Sequence, residues 1–122
     1  MNIEDLREYC LSLPYVTEDC PFEPDGIAFR VMGKIFAYLD VKNEDYFCMK
    51  CNPQYALQLR EKYQAITGAW HWNKKYWNQV SYKSTLTDDF IKHLIRHSFR
   101  EVVKKFPKRM IGENPKLASI DE

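Results

Sequence analysis

Only four glycines occur in the 122 residues, too scattered for a phosphate-cradling loop or a Gly-x-Ser-x-Gly nucleophile elbow. The chain also lacks any run of about 18 apolar residues, so no helical membrane span is readable. Its opening, Met1-Asn2-Ile3-Glu4-Asp5, is acidic and leads into no apolar stretch, so no secretory signal is expected. Four cysteines, Cys10, Cys20, Cys48 and Cys51, make no dense disulfide framework. Free thiols in a reducing cytoplasm are the expectation. The formal charge is only +1, which gives no overall pull toward nucleic acid or membrane. No internal repeat or low-complexity segment is present.

What is present is a hydrophobic fraction of 45% in a length that suits one core and not two. Charge is distributed unevenly. Residues 1 to 61 hold six basic and eleven acidic side chains, net −5, and residues 62 to 122 hold twelve and six, net +6. Such segregation matters for function only if folding preserves it in space.

Read in order, Ile3, Leu6, Cys10 and Leu13 recur at helical spacing behind an Asn2 cap, which predicts a helix over 3–12 ended by Pro14. Tyr15 to Gly26, rich in proline and acid around Phe22, reads as a loop. Strands are expected at 27–31 and 35–40, joined through Met32-Gly33-Lys34 as a hairpin. A reversal over Lys42-Asn43-Glu44-Asp45 leads to a third strand at 46–51. Asn52-Pro53 opens a helix over about 53–63, with asparagine as cap and proline at N1. A weak strand at 65–69, interrupted by Gly68, and a fifth strand around 79–83 follow. Thr87 caps the last helix, with Leu86 and Ile91 placed as a hydrophobic staple and a broad apolar stripe running to Phe106. The aperiodic end, 110–122, reads as a mobile tail. The expected class is α+β, a two-layer α-β-β-β-α-β-β-α domain over 1–109 with a largely antiparallel five-stranded sheet.

The densest chemistry lies in Trp70 to Val80, which packs three tryptophans, Tyr76, His71, Lys74, Lys75 and two asparagines into eleven positions. Rings beside cations can seal a small core or present stacking faces and charge to a nucleic acid. Within it His71, Asn73, Lys74, Trp77 and Val80 form a His-x-Asn-Lys-x-x-Trp-x-x-Val run. This run resembles the signature of the MmcQ/YjbR family of small bacterial proteins, and the likeness spans roughly residues 1 to 109. The resemblance implies DNA binding and a fold similar to type III secretion chaperones, with a likeness to frataxin-like and double-wing DNA-binding domains.

A second candidate is the outer face of the last helix. At 100° per residue Lys92, His93, Arg96, His97, Arg100 and Lys104 fall opposite the apolar stripe, a band about 18 Å long that could follow a phosphate backbone or simply stay solvated. Cys48-Met49-Lys50-Cys51 is a CxxC motif, but on a strand those two sulfurs point to opposite faces, and the helix starts after the second cysteine, not at the first. His93 and His97 have metalloprotease spacing, yet Leu94 stands where the catalytic glutamate belongs. The acids from Glu18 to Asp25 lack EF-hand spacing and read as solvated carboxylates.

No catalytic set can be assembled, and no cofactor or metal is expected. The leading expectation is a nucleic-acid-binding module, for DNA or RNA, with Lys34, His71, Asn73, Lys74, Lys75, Trp77, Arg96 and Arg100 as contact residues. It would read phosphate and shape. The alternative is a protein-binding adaptor or chaperone-like domain that uses a sheet edge and apolar surface. No membrane partner is expected for either.

Overall fold

A computed structural model describes residues 1–42 and 45–122. The expected reversal at 42–45 therefore lies partly outside the described residues. In chain order the elements are α1 (Ile3–Ser12), β1 (Val16–Asp19), β2 (Gly26–Val31), β3 (Lys34–Asp40), β4 (Tyr46–Lys50) and α2 (Pro53–Lys62). They continue with β5 (Ile66–Gly68), β6 (Trp77–Ser81), α3 (Asp88–Val103), α4 (Lys108–Glu113) and a 3-10 turn (Pro115–Ser119).

The local signals work through identifiable bonds. Asn2 and Asp5 form a reciprocal capping box at α1, Asn52 accepts from the amides of Gln54 and Tyr55 at α2, and Thr87 accepts from Phe90 at α3. In the β2–β3 hairpin both Met32 (φ 49°) and Gly33 (φ 85°) take left-handed backbone, as a two-residue turn matched to strand twist requires.

The sheet is antiparallel with order β1-β2-β3-β4-β6-β5. Among the described residues it has six strands where five were expected. The additional one is β1, in the segment read as a loop. Its Thr17-Glu18-Asp19 looks like solvated charge, yet each acid has a partner: Arg7 Nε donates to Glu18 at 2.7 Å and Arg30 Nε to Asp19 at 2.7 Å. Charges on an edge strand also oppose pairing with a further chain.

Cross-strand partners share a face, so the register sorts the side chains. Leu39, Phe47, Val80 and Ile66 are aligned across four strands and meet Ile91, Leu94, Ile95 and Phe99 of α3 in the core. Opposite the Phe29–Arg30 step of β2, β3 bulges by one residue, Phe36, which has no cross-strand partner and packs edge-on against Phe99 with centroids 5.6 Å apart. Leu6 and Cys10 of α1 and Ala56 and Leu59 of α2 join the same layer. All three long helices therefore cover one face.

The segment after 109, expected as a tail, instead forms α4 and the 3-10 turn, and Leu117 is 1% exposed within the core. One apolar side chain at the right place is enough to bring a short segment down, and no periodicity announces it.

Candidate functional site

Side chains on the sheet's other face, which no helix covers among the described residues, follow from the same register. Tyr38, Cys48 and Gln79 lie side by side across β3, β4 and β6. With Asp40 and Tyr46 they floor a cleft of about 680 Å³. One wall is Phe22 and Glu23 from the β1–β2 loop; the other is Trp70, His71 and Trp72 from the β5–β6 loop.

The three tryptophans take three different environments. Trp77 is buried beneath Trp72, with centroids 4.3 Å apart, Trp72 is half-buried, and Trp70 is 70% exposed. Trp72 also meets Tyr38 at 5.4 Å and Phe22 at 6.2 Å, which closes a corner of rings at the cleft. His71 stands exposed beside Trp70 in left-handed backbone, φ 70°.

Tyr38 fits this corner because position 26 has no side chain. A Cβ on Gly26 would overlap the Tyr38 hydroxyl and lie 2.5 Å from its Cζ. Gly26→Ala should therefore displace the ring and cost about 1.5 kcal/mol, the range for overpacking a filled site. Urea unfolding measures it, and an unchanged midpoint would show that Tyr38 is free to swing aside.

Beyond the cleft, the loop is anchored from below. Asn73 Oδ1 accepts from the Lys75 amide at 3.0 Å and the Asn73 carbonyl from the Tyr76 amide at 3.0 Å, which closes a turn over 74–76. Arg60 of α2 donates to Asn78 Oδ1 at 2.6 Å, to the Trp77 carbonyl at 3.2 Å and to the Lys74 carbonyl. Asn78 is 2% exposed and donates to the Ala56 carbonyl at 3.4 Å. Neither Arg60 nor Asn78 was expected to matter. A signal existed for Asn78, which has the inward parity of Val80 on its strand.

A basic cluster lies at the turn end of this loop. The Tyr76 ring has Lys75 Nζ 5.4 Å and Lys105 Nζ 5.2 Å from its centroid, both exposed. Lys50, at the end of β4, is half-buried. Burial lowers its pKa, as do the charges of Lys105, Lys104 and Lys34, against an opposing effect of Glu101. The electrostatics thus link Lys50 to Lys34, Lys104 and Lys105. Lys104 is paired with Glu101 at 2.7 Å. Tertiary structure brings Lys75, which was expected, together with Lys105, which was not, and Lys50 beside them feels Lys105 and, least, the expected Lys34.

The remaining expected contacts are dispersed. Exposed Lys74 lays its stem across Gly68. Arg96 donates to the Tyr9 hydroxyl at 2.7 Å, Lys92 lies over the Tyr9 ring at 5.4 Å, and Arg100 is exposed one turn further along. The continuous wet band expected on α3 does not form. His97 is 6% exposed, not solvated, because the returning C-terminal segment covers it. It accepts from the Asn52 amide at 3.2 Å and lies 2.7 Å from Glu122. His93 bonds to the Tyr55 hydroxyl at 3.0 Å.

The CxxC sulfurs diverge as strand geometry requires. Cys48 faces the cleft, Cys51 is in the core, and burial pushes both thiols up to about 12. Among the described residues no three His, Cys, Asp or Glu side chains come together as a metal site, and no helix is long and apolar enough to cross a membrane.

A family model described as YjbR matches residues 11–101. The uncharacterized protein YbdF of Escherichia coli O157:H7 is 30% identical over 107 residues, 87% of this chain and 88% of its own. A Deinococcus radiodurans protein with a DUF419 domain superposes with a TM-score of 0.86 at 29% identity, over 92% of this chain and 86% of the other. A Pseudomonas syringae protein superposes with a TM-score of 0.68 at 26% identity, over 80% of this chain and 96% of the other in its crystal structure.

Proposed function

The chain belongs to the YjbR family, and within it we propose a non-catalytic nucleic-acid-binding role in which lysines around Tyr76 engage phosphates. The observation that supports this most directly is Tyr76 with Lys75 and Lys105 each within about 5.4 Å of its ring, next to a half-buried Lys50. Such a cluster repels itself and gains most from a polyanion. Two exposed ammonium groups beside one ring also suit a backbone flanked by a base or sugar.

Recognition on this reading is of charge and shape, since the cluster comes from a turn, a strand end and a helix end and presents no helix to a groove. Catalysis is not part of it. Cys48, the thiol in the cleft, is held protonated by burial and then by Asp40. A reducing, cytoplasmic setting goes with the proposal, because the four cysteines are unpaired and Cys20 is exposed.

Fluorescence anisotropy with labelled duplex and single-stranded DNA and with RNA tests the proposal. Three to four neutralised phosphates predict about a hundredfold loss of affinity between 50 and 200 mM salt. Absence of binding at the lower salt would remove the reading. The second reading, a protein-binding adaptor, is favoured by exposed Phe22 (66%) and Trp70 (70%). Its signature is binding of a protein partner that is indifferent to salt.

A further inference from the structure

We propose that the cleft on the uncovered sheet face is a separate binding site for an organic cation carrying an alkylated or quaternary ammonium group. Its volume, about 680 Å³, is that of a small-ligand pocket. Five of its lining residues are aromatic, Phe22, Tyr38, Tyr46, Trp70 and Trp72, and two are carboxylates, Glu23 and Asp40. Among the described residues neither lysine nor arginine lines it.

That composition discriminates between ligand classes. A phosphate or carboxylate ligand would face Glu23 and Asp40 with no lysine or arginine to neutralise it. A purely apolar ligand would dehydrate both carboxylates without replacing their water, which is unfavourable. An alkylammonium satisfies both halves of the lining: its methyl groups pack against the ring faces, which attract positive charge, and its charge answers the acids.

Two further observations point the same way. Tyr38, 7% exposed, lines the floor, and its titration is displaced upward, by burial first and then by Glu23 and Asp40. Both carboxylates therefore act on the floor of the cleft. Lys42, whose backbone amide donates to Asp40, is paired with Asp25 at 3.1 Å. Its pKa is raised, chiefly by the hydrogen bond and charge of Asp25 and to a smaller extent by Glu23 and Asp40, so the two cleft carboxylates add to the attraction for a cation at this rim.

The test compares choline with 3,3-dimethylbutan-1-ol, which has the same shape without the charge. The indole N–H resonances of Trp70 and Trp72 and the intrinsic fluorescence report the cleft. Choline should shift both resonances saturably, and the neutral isostere should bind about tenfold more weakly. Glu23→Gln with Asp40→Asn should weaken choline about tenfold and leave the isostere unchanged. The Asp40→Asn side chain keeps an oxygen where the carboxylate now accepts from the Lys42 backbone amide at 3.0 Å, so the fold is retained. Trp70→Ala, at the exposed wall, gives an independent loss of affinity.

A peptide carrying trimethyl-lysine, run beside choline, distinguishes a side chain from a free small molecule as the source of the same group. Saturable, charge-dependent binding of either supports the site. Equal binding of choline and its isostere, or no saturable shift with any cation, overturns it. None of these variants touches Lys75 or Lys105, so the outcome is independent of nucleic-acid binding.

Discussion

Arg60→Ala should lower stability by about 2.5 kcal/mol, because one guanidinium serves three acceptors and one of them, Asn78 Oδ1, has no access to water to replace it. In a chain of this size that corresponds to a fall in Tm of roughly 10 °C. Arg60→Lys should recover only part of the loss, since a single ammonium cannot span the acceptors that a planar fork reaches. The same bonds hold the Lys74 and Trp77 carbonyls, so they set the path of the loop that carries Trp72 and Lys75. A destabilised variant should therefore also bind nucleic acid more weakly at a temperature where it is still folded. Thermal melts by circular dichroism check the first statement and anisotropy the second. A Tm within about 2 °C of wild type would show that water replaces the guanidinium freely and that the loop is held by other contacts.

Reversing charge at Lys75 and Lys105 together, to glutamate, should reduce nucleic-acid affinity by more than about a hundredfold at low salt, because two attractions become two repulsions. Both side chains are exposed and neither has an ion-pair partner among the described residues, so the melting temperature should hardly change. Lys62→Glu with Lys116→Glu, two exposed positions outside the Tyr76 cluster, is the control matched for net charge. If the double variant binds like wild type while remaining folded, phosphate contact at Tyr76 is wrong. If the control pair weakens binding equally, only net charge is being read and no localised interface exists.

The local architecture was legible to a considerable degree. The α1 bounds, both helix caps that follow, the Met32-Gly33 turn and the core face of α3 all follow from capping chemistry and apolar period, which act over a few residues. β1 escaped because its acids are compensated from other elements, by Arg7 of α1 and Arg30 of β2, eleven residues away in either case. Likewise Leu117 gave no periodic cue, and with its segment in place His97 went from an apparent surface residue to a buried one.

The candidate sites divide along the same line. The stretch from 71 to 77 stood out from composition alone and brought Lys75 with it, while Lys34 was named separately, from the β2–β3 turn. Lys50 and Lys105 belong to the same cluster but come from a strand end and a helix end, where each has an adequate local explanation. Lys105 in particular suits the dipole of its own helix. The cleft could not be read at all, since Phe22 looks like a loop anchor and Glu23 like solvated charge until the loop is folded against Tyr38 and Trp72.

Sequence by itself determined the family, the α+β class, the bounds of α1, the starts of α2 and α3, and the divergence of Cys48 from Cys51, because each depends on chemistry within one turn or one strand. Only the tertiary structure decided which of three adjacent tryptophans is sealed and which stands in water, which cations share a surface, and that the uncovered face holds an aromatic and acidic cleft. Those outcomes depend on strand register and on loops closing over it, and both are set by pairings between residues tens of positions apart.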